Sequence, residues 1–261
     1  MSTDSSNNTP SSTPNRQLAQ RFIATVQTML IGLILYILPQ ITTSFLLVLG
    51  IVLSGMTQAQ AAEWVDTSLV RLIYSGINDI VLIALLVFFM RLLRETWKSI
   101  AVKMPKVKDI GYVFAGFLVY IAIYMVIAVI IYQFSPDLFK QQQEIGFDTK
   151  STGGERLYAF IGLVVLPPIV EEILFRGFLY TRLKRIFSVK TAAVVVSLLF
   201  AIAHLQIGFG NGLLWIAALD TFILSLVLVW LREKTGNIWS GTGVHALKNL
   251  VAFLILFNVV Q

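Results

Sequence analysis

Four side chains that can transfer protons lie within long apolar stretches of this chain. Glu171 and Glu172 occur in VVLPPIVEEILFR, and His204 and His245, the only two histidines of the sequence, lie in two later stretches. A charged group in hydrocarbon costs about 2.5–3.5 kcal/mol on insertion scales, so such residues are rare without a partner or a function. Carboxylates and imidazoles together can make a water molecule nucleophilic. The four residues therefore favour hydrolytic chemistry, if the fold brings them together.

The two acids have different predicted surroundings. Pro167 and Pro168, just before them, interrupt helical hydrogen bonding and predict a kink. Glu172 and Arg176 are four residues apart in the favourable order, so they can form an ion pair along one helix face. Glu171 is rotated by about 100° from Glu172 and is free to point elsewhere.

The two histidine segments show the same four-residue spacing. Phe200 precedes His204, and Asn249 follows His245. Counted from the basic ends of the helices at about 1.5 Å per residue, Glu171 lies roughly 16 Å, His204 about 20 Å and His245 about 10 Å into the membrane. These depths overlap once helix tilt is considered. We expect the groups to meet in the cytoplasmic half of the membrane.

The elements that must position these residues are membrane-spanning helices. Of the 261 residues, 57% are hydrophobic and only 13% are charged, far from the usual globular balance. A span needs about 20 apolar residues. The sequence predicts an all-α, polytopic bundle of about seven spans (six to eight), with catalytic residues on three helices. The candidate spans lie near 28–54, 73–93, 110–133, 157–180, 190–207, 212–231 and 238–259.

Charge predicts the orientation of this bundle. The connection 91–108 carries six Lys and Arg residues and should be cytoplasmic. A single span before residue 60 then places the N-terminus on the cytoplasmic side, whereas a hairpin at Pro39 would move one basic segment outside. Because the basic residues are spread over alternate connections, the net charge of +6 does not predict nucleic-acid binding. We expect an integral protein of a bacterial plasma membrane.

Three regions are expected along the chain. Residues 1–20 form a polar tail rich in Ser, Thr, Asn and Pro that cannot bury enough apolar surface to fold. Residues 21–150 form N-terminal transmembrane helices, and residues 151–261 carry the predicted chemistry. The absence of cysteine excludes thiolate metal sites and a cysteine nucleophile.

Three short motifs occur in order on three predicted spans: EEILFR, FAIAH and HALKN. As EExxxR, FxxxH and HxxxN, they resemble the CAAX prenyl protease/bacteriocin-processing family, also called the Abi family. The resemblance covers roughly residues 155–257, and it is strong because three motifs occur in order at matching membrane depth, whereas any one of them could recur by chance. It implies an intramembrane endopeptidase that cleaves a peptide bond near the cytoplasmic face. Its substrate would be a leader, bacteriocin-precursor or prenylated-type peptide with a membrane-associated segment.

The resemblance also implies roles for the motif residues. Glu171 and His204 would activate a water molecule, and His245 and Asn249 would hydrogen-bond the oxyanion. Glu172 would share in catalysis or act with Arg176 and Phe200 as structural support behind the site. A zinc ion on Glu171, His204 and His245 is the alternative chemistry, and the sequence leaves the choice between no cofactor and zinc open.

Two other classes of function remain open from the sequence. Members of the family can keep the motifs and serve as membrane scaffolds or bacteriocin self-immunity proteins. Asp79 and Asp220 lie within predicted spans and suggest an ion-coupled transporter as a less favoured possibility. Asp79 is expected to reach water near a span end, and Asp220 to be a packing partner among helices.

Overall fold

The structure is a computed structural model and describes residues 14–140, 145–205, 207–208 and 212–258. Within these residues the chain forms eight helices, one short 3₁₀ helix at Pro136–Lys140 and one pair of two-residue strands. The strands, β1 (Ile207–Gly208) and β2 (Gly212–Leu213), pair antiparallel before the seventh helix. The helices are α1 (Pro14–Ser54), α2 (Gln58–Val65), α3 (Ser68–Leu92), α4 (Val107–Phe134), α5 (Gly153–Ile186), α6 (Val189–Ala203), α7 (Trp215–Thr235) and α8 (Trp239–Asn258).

This architecture confirms the predicted all-α, polytopic membrane bundle. Six of the described helices, α1, α3, α4, α5, α7 and α8, are long and apolar enough to cross a membrane. The remaining apolar helix, α6, has only 15 residues and extends about 22 Å, which is shorter than the other six. Since α6 ends directly before His204, that histidine lies at a helix end rather than within a span.

The first apolar stretch is one helix, not a hairpin. α1 is 41 residues long and continues without a break past Pro39. Residues 14–20, expected in the polar tail, belong to this helix, because the proline at position 14 suits a helix start and the following residues are good helix formers. The rest of the predicted tail, 1–13, lies outside the described residues.

α5 lies at the centre of the bundle and contacts α1, α3, α6, α7 and α8. It changes helix type along its length: α-helical at Gly153–Phe160, Leu166–Glu172 and Tyr180–Ile186, and π-helical at Ile161–Val165 and Ile173–Leu179. All seven residues of the second π-helical segment are buried. π-helical turns are rare and are often found at functional sites.

Several polar contacts gather the basic helix ends at one end of the bundle. At the C-terminal end of α5, Arg182 bonds Thr28 and Gln27 of α1. Lys184, also from this helix, pairs with Glu233 near the end of α7. The ends of α5 and α7 and the first half of α1 therefore meet, as the distribution of positive charge predicts.

Glu95, in the connection between α3 and α4, is tied to this same end. Its side chain is 4% exposed and accepts a hydrogen bond from Arg185, while Ser99 donates a second at 2.7 Å. The Arg185 guanidinium lowers the pKa of the Glu95 carboxyl below its ordinary value. The connection is thus fastened to α5 by a charge-assisted contact.

Replacing Glu95 by Gln should lower the thermal stability of the detergent-solubilised protein at pH 7 by about 2–4 °C at most, since such pairs contribute little. A carboxyl whose pKa is lower in the folded state stabilises the fold above its ordinary pKa, and this contribution fades as the pH falls. The difference between wild type and Glu95→Gln should therefore shrink below pH 4.5. Thermal unfolding over a pH series measures this, and a difference that grew on acidification would contradict the assignment.

Candidate active site

The structure brings Glu171 together with both histidines of the chain. Glu171 Oε2 lies 3.6 Å from His204 Nε2 and 3.8 Å from His245 Nε2. Both distances exceed hydrogen-bonding range, and this carboxylate oxygen has no hydrogen-bond partner among the described residues. Two imidazole nitrogens, one directly after α6 and one from α8, thus face the same carboxylate oxygen of α5.

The hydrogen bond at the far side of His204 fixes its ring. His204 Nδ1 lies 2.8 Å from the backbone oxygen of Phe200. A carbonyl oxygen only accepts, so Nδ1 carries the proton of this bond. In the neutral ring Nε2 then presents a lone pair to Glu171, and two acceptors face each other. A hydrogen-bond donor such as a water molecule is the natural bridge between them.

A buried ion pair supports the site from behind. Arg176 Nη1 donates to Glu172 Oε1 at 2.7 Å, and both side chains are fully buried. The guanidinium of Arg176 lies 4.1 Å from the centre of the Phe200 ring. The same ring packs against His204 at 4.3 Å and, edge to face, against His245 at 5.7 Å. Phe200 therefore holds the cation and both imidazoles in place.

Glu172 also lies close to His245. Its Oε1 lies 3.4 Å from His245 Nδ1. α8 comes close at this point because residue 241 is glycine, where an added Cβ would stand 3.1 Å from Glu172 Oε2. The two adjacent acids thus contact different groups. Glu171 faces Nε2 of both histidines, and Glu172 faces Arg176 and His245 Nδ1.

Asn249 repairs the backbone that the proline pair interrupts. Pro167 has no N–H to bond the carbonyl of Leu163, four residues earlier, and Pro168 has none to bond it in π-helical register. The Asn249 side chain donates its amide Nδ2 to that Leu163 oxygen at 2.9 Å. One of its two N–H groups therefore fixes α8 to α5 beside the site.

Arg232 plays a similar part at the second π-helical segment. It begins the stretch Arg232–Trp239, which resembles the family's lead-in to the last motif, but this resemblance did not predict its contact with α5. The Tyr180 N–H bonds the oxygen of Phe175, five residues back, so the Arg176 oxygen loses its usual α-helical partner. Arg232 Nε donates to that oxygen at 3.2 Å, and its Nη2 donates to Thr181 at 2.7 Å. A buried arginine from α7 thus stabilises the distorted backbone on which Arg176 stands.

A cavity of about 340 Å³ opens from Glu171 and His204 towards α1 and α3. Tyr36 lines it and donates to the oxygen of Ala203, next to His204, at 2.9 Å. Asp79 lines it as well, from the middle of α3. The prediction that Asp79 lies near the end of a span is therefore wrong. α3 begins at Ser68, five residues before the predicted span, so Asp79 lies further from the helix end.

Comparison with known protein families matches residues 153–251 to the family described as "Type II CAAX prenyl endopeptidase Rce1-like". Residues 153–251 are therefore similar to this family, and we call them the Rce1-like segment. The match contains all of α5, α6 and α7, together with α8 as far as Val251. It therefore includes the motif residues Glu171, Glu172, Arg176, Phe200, His204, His245 and Asn249. Neither the curated proteins nor the solved structures gave a match.

The zinc alternative was tested against the arrangement of the donors. Among the described residues, no group of three or more His, Cys, Asp or Glu side chains is placed to hold a metal ion. Glu171, His204 and His245 supply suitable donor types, but a three-ligand set is not assembled in this arrangement.

Asp220, the acid that suggested a transporter, is occupied by two partners. It accepts a hydrogen bond from Tyr120 of α4 and forms an ion pair with Lys248 of α8 at 3.2 Å. This arrangement joins α4, α7 and α8. Asp220 is thus placed as a packing partner among helices.

Breaking the buried pair should destabilise the protein strongly. Arg176→Met leaves the Glu172 charge buried and unpaired, which costs about 3–5 kcal/mol. The double variant Glu172→Gln, Arg176→Met should recover a substantial part of that loss. Thermal unfolding in detergent measures both. Arg71→Met, which breaks the exposed pair with Asp66, is the control and should cost about 1 kcal/mol or less. Equal effects of Arg176→Met and Arg71→Met would contradict the role of the buried pair.

Proposed function

We propose that this protein is an intramembrane endopeptidase that uses Glu171 and His204 to activate a water molecule. The observation that carries the proposal is that His204 Nε2 and His245 Nε2 lie 3.6 Å and 3.8 Å from Glu171 Oε2, inside the Rce1-like segment. The 3.6 Å gap between Glu171 and His204 suits a water that donates to both.

The proposed reaction proceeds in two steps. The water oxygen attacks the peptide carbonyl carbon while one water proton passes to Glu171, which gives a tetrahedral intermediate with a negative oxygen. Glu171 then gives this proton to the leaving nitrogen as the carbon–nitrogen bond breaks. The products are a carboxylic acid and an amine, and Glu171 returns to its ionised state.

We assign stabilisation of the negative oxygen to His245 and Asn249. Asn249 keeps one N–H after its bond to Leu163, and its anchored amide requires little rearrangement during the reaction. Glu172, through His245 Nδ1, and Arg176 with Phe200 position these groups. In this account Glu172 is a positioning residue.

The substrate class follows from the walls of the site. A second, apolar cavity of about 420 Å³ lies between α1, α5 and α6. It shares four lining residues with the polar cavity: Tyr36, Leu174, Phe175 and Ala203. An apolar segment held there would present its neighbouring peptide bond to Glu171. We therefore propose a peptide or protein substrate with a membrane-associated segment, reached from the end that carries the basic residues, which is the proposed cytoplasmic side.

Cleavage of a proteome-derived peptide library in detergent micelles tests the proposal. Glu171→Gln and His204→Ala should each lower cleavage at least about 100-fold, because general acid–base groups contribute about 10²–10⁴-fold. Asp220→Asn should remain within about tenfold of wild type once folding is matched by thermal unfolding.

The other outcomes separate the rival functions. Severe loss in Asp220→Asn with tolerance of Glu171→Gln would favour an ion-coupled transporter. No cleavage by the folded wild type would favour a scaffold or self-immunity protein. Either result would contradict the peptidase.

A further inference from the structure

The polar cavity beside Glu171 has a wall that lies outside the Rce1-like segment. Asn78 and Asp79 of α3 line it, together with Tyr74 and Ser75 one turn earlier. Asp79 and Glu171 line the same cavity. The N-terminal helices thus bring a second carboxylate to the space that a substrate must occupy.

Hydrogen-bond acceptors without donors dominate this space. Asn78 Oδ1, Asp79 Oδ2 and Glu171 Oε2 are buried atoms without a partner among the described residues. Three of the donor groups that line the cavity have partners elsewhere: the Tyr36 hydroxyl bonds Ala203, one N–H of Gln40 bonds the oxygen of Tyr36, and the Tyr74 hydroxyl bonds Ser44. Buried polar atoms are rarely left unpaired, so these acceptors indicate a ligand that supplies donors.

The charge of the cavity defines that ligand further. No Lys or Arg is among the described residues that line it, although the chain as a whole carries a net charge of +6. A Lys ammonium has three N–H donors and an Arg guanidinium has five, and neither has an acceptor. The volume of about 340 Å³ is far larger than the roughly 30 Å³ share of one water molecule.

We propose that this cavity binds a Lys or Arg side chain of the substrate close to the cleaved bond, and that Asp79 is the residue that selects it. The inference rests on the proposed endopeptidase function and adds a substrate preference to it. A neutral side chain leaves Asp79 Oδ2 and Asn78 Oδ1 without donors, and an acidic one adds repulsion. The N-terminal helices then determine which peptides the Rce1-like helices cleave.

The test uses a cleaved library peptide resynthesised with Lys, Arg, norleucine or Glu at each position within three residues of the cut. At one of these positions, wild type should prefer Lys or Arg over norleucine by about tenfold or more in kcat/KM, and Glu should be worst. In Asp79→Asn the ratio of Lys to norleucine should fall to about one. Asp66→Asn, which removes an exposed acid from the connection before α3, should keep the wild-type ratio.

A binding measurement separates failure of this inference from failure of the proposed function. Fluorescence anisotropy of four labelled peptides, each an apolar segment followed by Lys, Arg, norleucine or Glu and designed without reference to cleavage, measures binding directly. In the His204→Ala background, with and without Asp79→Asn, it should show the same preference and the same loss without any turnover. Cleavage by wild type without preference for a basic residue, or a preference that survives Asp79→Asn, would overturn the inference. Absence of cleavage with an intact, Asp79-dependent binding preference would overturn only the peptidase.

Discussion

The buried ion pair between Glu172 and Arg176 is the interaction on which the C-terminal half of the molecule depends. Two opposite charges with no exposure to solvent need additional partners, because desolvation otherwise outweighs their attraction. Phe200 is one such partner, because its ring lies against the Arg176 guanidinium. The same ring also packs against both imidazoles. The need to hold one buried cation thereby positions three helices around Glu171.

The second constraint is the backbone of α5, which cannot remain an ordinary helix through this region. The proline pair and the π-helical segments release carbonyl oxygens at a depth where water is scarce, and each must find a donor. Asn249 and Arg232 provide donors from α8 and α7. The residues that repair α5 are therefore also those that fix the neighbouring helices beside the site.

Much of this arrangement was predictable because it depends on local spacing. The four-residue separations predicted the Glu172–Arg176 pair and placed Phe200 beside His204, and hydropathy predicted the bundle. The contacts of Asn249 and Arg232 were not predictable, because amino-acid composition does not show which carbonyl oxygens of α5 lose their helical partners. Asp79 was visible as an acid in an apolar stretch, but periodicity cannot tell which cavity a span faces. The long-range contact of α3 with α5 decides that.

The most direct test of the account is the protonation of the His204 ring. Because the chain has only two histidines, ¹⁵N-histidine labelling gives four ring signals, which His204→Ala assigns to one residue or the other. The account predicts that neutral His204 carries its proton on Nδ1, and that the signal of its unprotonated Nε2 shifts in Glu171→Gln. A proton on Nε2 with an unprotonated Nδ1, unaffected by Glu171→Gln, would contradict the proposed water-activating pair.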